Sequence, residues 1–89
     1  MEEVTFAQLL LLARANALHE LTAEALPNGS GFYLVANTRA GQVRMRTTRV
    51  NRTKKFASLD GVAADVKRLG FDRFTTVGLS DIERSYRGV

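Results

Sequence analysis

Phe6, Leu9, Leu10, Ala13, Ala17 and Leu21 recur at the three- and four-residue steps of one helix face. Ahead of them, Thr5-Phe6-Ala7-Gln8 has the form of a capping box, in which the Thr5 hydroxyl accepts from the Gln8 amide while the Gln8 side chain reaches back. Pro27-Asn28-Gly29 closes the pattern. The spacing predicts a helix from about Thr5 to Ala25, roughly 30 Å long at ~1.5 Å per residue. Leu11 and Leu12 widen the apolar stripe beyond what one sheet would cover. That surplus points to a homodimer through the N-terminal helix, with burial in the chain's own core as the alternative.

Downstream the period changes from helix to strand. Phe32-Tyr33-Leu34-Val35-Ala36 is aromatic and β-branched between glycines, and reads as a strand. Asn37 to Gly41 reads as a hairpin loop, with Gly41 able to take positive φ. Gln42 to Val50 reads as the return strand, with Val43 and Met45 on one face and Arg44 and Arg46 on the other. The alternation breaks at Thr47-Thr48, and strict parity would turn Arg49 inward, so a bulge is expected near Thr47. After a polar loop, Ser58 reads as an N-cap. Leu59, Val62, Ala63, Val66 and Leu69 follow as an apolar stripe, and Gly70 ends the helix. Phe74 to Val77 is a short third strand, and residues 80–89 form a tail that is frayed or holds one helical turn.

These elements predict an α+β fold in the order α-β-β-α-β. The expected sheet has three strands in the order 2-1-3, every pair antiparallel, with both helices on one face. Tyr33, Val35, Arg44, Arg46, Thr75 and Val77 would then share the open face, where aromatic and guanidinium groups suit base stacking and phosphate contact, or a protein interface.

Eighty-nine residues make one domain, with a thin core. There is no Cys, so disulfides and thiolate metal sites are excluded and a reducing cytoplasm is the expected compartment. The longest aliphatic run, Leu9–Ala13, is far too short to span a membrane. Glu2 and Glu3 occupy the place where a signal peptide carries Lys or Arg. Without an export signal, Asn28-Gly29-Ser30 and Asn51-Arg52-Thr53 match the glycosylation pattern by chance.

The net charge of +4 is unevenly placed. Residues 1–38 carry −3, residues 39–56 carry +7 with no acid, and residues 57–89 carry 0. The seven cations are Arg39, Arg44, Arg46, Arg49, Arg52, Lys54 and Lys55. Charged residues on a strand edge discourage sheet-to-sheet aggregation, but that accounts for two cations rather than seven. Local like charge of this density points to DNA or to an acidic protein partner. The excess of Arg over Lys favours bidentate contact with phosphate or carboxylate. Four to six phosphate contacts would give a salt slope of roughly −4 to −5.

Little else suggests chemistry. His19 is the sole histidine, with no second His or Cys to share a metal, and the serines lack a neighbouring base. Asn28-Gly29-Ser30-Gly31 follows a helix and precedes a strand, the reverse of a phosphate cradle. Asp60, Asp65 and Asp72 lack the glycine and closing glutamate of a calcium loop. The expectation is a protein that is not an enzyme and carries no cofactor or metal.

Two stretches, GFYLVANTRAGQVRMRTTRVNRT and FASLDGVAADVKRLGFDRFTTV, lie between Gly31 and Val77. Their strand, Thr-Arg-Ala-Gly turn, basic strand and Phe-x-Ser-Leu-Asp helix ending in Leu-Gly-Phe resemble small plasmid partition-associated proteins of the ParC type. The resemblance implies an accessory role in plasmid maintenance, through DNA or through partition proteins, and brings no catalytic residues. The sequence thus predicts binding through Arg39, Arg44, Arg46, Arg49, Arg52, Lys54, Lys55 and Tyr33. A protein-interaction module, or a small phage- or plasmid-borne inhibitor of host defence using the same basic strand, is the alternative.

Overall fold

The capping box at Thr5 is present: the Thr5 amide donates to Gln8 Oε1 at 2.8 Å and the Gln8 amide donates to Thr5 Oγ1 at 3.3 Å. The helix it opens is nevertheless short. In the computed structural model, which describes residues 2–49 and 52–78, helix α1 runs only from Phe6 to Arg14. Asn16 takes a left-handed conformation, φ 56°. Around it the Ala17 amide donates to the Leu12 carbonyl at 2.8 Å, and the Asn16 amide to the Ala13 carbonyl at 3.1 Å. This is the paired bonding of a Schellman stop, and asparagine is the residue other than glycine that tolerates it best.

The expected helix over Thr5–Ala25 is therefore two elements, because its second half is strand β2, Leu18–Ala25. Leu21 and Ala23 are buried on one side, while Thr22 and Glu24 face the other. Leu18 is also buried, three residues before Leu21, because an extra residue bulges β2 between Leu18 and Glu20. That three-residue step mimicked a helical one. Leu10 and Leu12 of α1 are partly buried against the core, so the apolar surplus behind the expected helix-to-helix dimer reduces to Leu11, 65% exposed.

The three-stranded antiparallel sheet is corrected likewise. A first strand, β1 (Glu2–Val4), precedes α1, and the order is β1, α1, β2, β3 (Phe32–Thr38), β4 (Gly41–Met45), α2 (Leu59–Arg68), β5 (Thr75–Val77). These form one five-stranded mixed sheet in the order β1-β4-β3-β2-β5. The central β4-β3-β2 meander is antiparallel, and β1 and β5 add to its edges in parallel. The last strand does not lie beside Phe32–Thr38, as expected, because β2 occupies that place.

The β3–β4 turn falls at Arg39-Ala40, with Gly41 at φ 119° as expected of it. Beyond Met45 there is no bulge in a continuing strand. Strand β4 ends, Arg46 makes a single bridge to Thr53, and the Thr47 amide donates to the Arg52 carbonyl at 2.8 Å, so the chain turns back. Arg49 is solvated by the turn, which removes the parity conflict. Val50 and Asn51, and residues 79–89 with the expected tail over 80–89, lie outside the described residues.

Ser58 caps α2 by accepting from the Gly61 amide, and Gly70 follows the helix at φ 90° with the same Schellman pairing seen after α1. Both helices cover one face of the sheet. Leu9 of α1 and Val62 and Val66 of α2 share a core with Leu21, Ala23, Leu34, Ala36, Val43 and Met45.

Candidate functional site

The register of the sheet divides the seven cations. Arg39 sits at the β3–β4 turn, and Arg44 lies in mid-strand opposite Val35. The remaining five fall at or beyond the far end of β4. Five strand residues separate the two ends, roughly 15–20 Å at ~3.3 Å per residue.

The far end is built by backbone pairing. The Arg46 amide donates to Val4 at 2.8 Å, the Lys54 amide to Met45 at 3.0 Å, and Phe32 and Phe56 exchange amide–carbonyl bonds of 2.8 Å each. The Thr53 hydroxyl donates to the Glu3 carboxylate, tying this segment to β1. Gly31 lies where the segment crosses the start of β3, and a Cβ there would stand 2.6 Å from the Phe56 carbonyl oxygen. From this base the turn projects Arg49 and Arg52, and Lys55 stands beside it, all exposed. Among the described residues, none of these three, nor Arg39, is paired with a carboxylate.

Arg44 is differently placed. Its Nη2 lies 3.0 Å from Glu24 Oε1, and its guanidinium lies over the Tyr33 ring, 4.9 Å from the centroid. Tyr33 and Val35 share its sheet face as expected, with Thr75 and Val77 on β5. Strand β2, however, brings Glu20 and Glu24 to that same face, and β1 brings Glu3. Glu20 accepts from the Thr75 hydroxyl at 2.9 Å. The open face therefore sets three carboxylates against Arg44, a poor surface for a phosphate chain.

Arg46 departs from the open face as well. Its Nη1 donates to the Thr47 carbonyl at 3.2 Å, and it lines a cleft of about 370 Å³ with Phe6, Thr48, Lys54, Asp65 and Arg68. Asp65 is 6% exposed. Its Oδ1 accepts from Arg68 Nη1 at 3.2 Å, while Lys54 Nζ stands 3.8 Å from Oδ2. Among the described residues, the buried Oδ2 has no hydrogen-bond partner. Arg68 also stacks over Phe6, 4.2 Å from its ring centroid, and Lys54 lies 5.0 Å from that of Phe56.

Sequence reasoning missed Glu3, Glu20, Glu24, Asp65 and Arg68 as neighbours of the basic segment. The alternation of Leu21 to Ala25 was the available signal for the two glutamates. Asp65 and Arg68 are an i, i+3 pair on α2. His19 is exposed at the β2 bulge, and Asp60 and Asp72 are exposed. Among the described residues, no helix is long and apolar enough to cross a membrane. Comparison with protein-family models, with curated proteins and with solved structures returns no significant match.

Proposed function

We propose that this is a small, non-enzymatic accessory protein that binds DNA, or a DNA-bound partner, through the turn carrying Arg49 and Arg52 and the adjacent Lys55. The observation that supports this reading is the exposure of these three side chains without a carboxylate partner among the described residues. Like charges held apart from any acid repel one another, and a polyanion relieves that repulsion by releasing its own counterions. Arg46 and Lys54 at the base of the turn, and Arg39 at the opposite end of the sheet, add longer-range attraction. Arg44 is held by Glu24 and Tyr33 and orders the sheet. Contacts of this kind fix position on a duplex without reading its sequence. A role in plasmid partition or maintenance follows from the resemblance of Gly31–Val77 to ParC-type proteins.

Binding of the full chain to covalently closed duplex DNA, measured at low and high salt, tests the reading. Binding at low salt that falls steeply with added salt supports it. No binding at low salt would remove it, and leave the basic turn to an acidic protein surface.

A further inference from the structure

We propose that the cleft between the first turn of α1, the end of β4 and the second half of α2 binds a phosphate monoester with a hydroxyl group close to the phosphate, as in a ribonucleoside 3′-monophosphate or a 3′-phosphorylated RNA end. This goes beyond DNA binding by the exposed turn and stands on Asp65, Arg68 and Phe6, which that reading does not use, with Arg46 and Lys54 shared. At about 370 Å³ the cleft lies within the range of small-molecule pockets. Its charged lining is Arg46, Lys54 and Arg68 against Asp65. The surplus of two positive charges matches a phosphate monoester, which carries about −1.5 to −2 at neutral pH.

The unpartnered oxygen of Asp65 makes the site more specific than an electropositive hollow. Oδ2 is buried and, among the described residues, without a hydrogen-bond partner, and Lys54 Nζ at 3.8 Å is beyond hydrogen-bond reach. A buried acceptor calls for a donor. Fully ionised phosphate has no donor and would meet the carboxylate as a like charge. A ligand whose hydroxyl sits beside its phosphate satisfies both halves of the cleft, donating to Asp65 while the cations hold the phosphate oxygens. Stacking on Phe6 holds the Arg68 guanidinium at the cleft before any ligand arrives, which lowers the entropy lost on binding.

The test is titration of the ¹⁵N-labelled full chain with adenosine 3′-monophosphate, 2′-deoxyadenosine 3′-monophosphate and adenosine, followed by amide shifts. The ribonucleoside monophosphate is expected to shift Thr47, Thr48, Lys54 and Arg68, to bind about tenfold tighter than its 2′-deoxy form, and to weaken about tenfold in Arg68→Gln or Lys54→Gln. Arg68 is 64% exposed, so its substitution does not threaten folding as Asp65→Asn does. A 3′-phosphorylated RNA oligonucleotide that outcompetes its 3′-hydroxyl form assigns the cleft to nucleic-acid ends, and equal competition assigns it to free nucleotides. Absent shifts at millimolar monophosphate, or affinity unchanged in both variants, would overturn the proposal and identify a closed ion-pair cluster. Closed duplex DNA has no terminal phosphate, so its binding is read without a monoester in the cleft, and Arg68→Gln should leave it unchanged.

Discussion

Arg44 on β4 reaches across β3 to Glu24 on β2, Nη2 to Oε1 at 3.0 Å. Glu24 is the register partner of Tyr33, so the guanidinium passes over the Tyr33 ring to meet it. One of the seven basic-segment cations is thereby committed to joining three strands. Both side chains are partly exposed, 26% and 37%, and solvent screens the pair, so a double-mutant cycle with Arg44→Gln and Glu24→Gln should give a coupling of only about 0.5 kcal/mol. Duplex binding should respond in the opposite proportion. Arg49→Glu with Arg52→Glu should weaken it about tenfold or more, against less than about threefold for Arg44→Gln. An Arg44 effect equal to that of the double reversal would place the interface on the open face.

The salt dependence gives a second, independent number. Arg49, Arg52 and Lys55 stand unpaired among the described residues, with Arg46 and Lys54 at their base. Three to five phosphate contacts predict a slope of log K against log salt of about −3 to −4.5. Anisotropy titrations over a range of salt concentrations measure it. A slope shallower than about −1 is incompatible with phosphate contact by this turn.

Asn16 decides where α1 stops and β2 starts. At φ 56° it occupies the left-handed region, which a β-branched side chain resists. Asn16→Gly should leave stability within about 0.5 kcal/mol of the parent, whereas Asn16→Val should lower it by about 1–2 kcal/mol, both read from urea unfolding midpoints. If Asn16→Val were neutral, α1 would continue through this position as the sequence periodicity suggests.

The same residue shows which parts of the fold were legible. Thr5, Ser58 and Gly70 each carry a local signal with one physical meaning, and each sits where that signal puts it. The β3–β4 hairpin was legible for the same reason, from its alternation and from Gly41. Leu18–Ala25 was not, because the bulge at Leu18–Glu20 spaced Leu18 from Leu21 as a helix would, and Ala17 and Leu21 seemed to continue the α1 face. Misreading β2 concealed the acids of the open face, since Glu20 and Glu24 point there only in a strand. Strand β1 has three residues and is placed by its pairing with β4, a long-range contact that local pattern does not carry. The Asp65 cleft was illegible because it joins residues from α1, β4, its following loop and α2.

Gly31 couples the basic turn to the sheet. Its φ of 143° strains any residue with a side chain, and an added Cβ would stand 2.6 Å from the Phe56 carbonyl oxygen and 2.9 Å from Lys55 Cγ. The Lys55 methylenes can move, but the Phe56 carbonyl receives the Phe32 amide at 2.8 Å and moves only if that bond is lost. Gly31→Ala should therefore lower stability by about 2–4 kcal/mol, combining backbone strain with the clash. Gly29 is the internal comparison: at φ 66° with nothing within 4 Å of an added Cβ, Gly29→Ala meets the left-handed penalty alone, about 1 kcal/mol. Urea unfolding of the two variants gives the difference, and hydrogen exchange gives its location, with protection of the Phe32 and Phe56 amides lost only in Gly31→Ala. Because the Phe32–Phe56 bonds anchor the segment behind Lys55, the Gly31 variant should also bind closed duplex DNA more weakly than the Gly29 variant. Equal stability and equal exchange in the two would mean that the segment does not cross β3 at this distance.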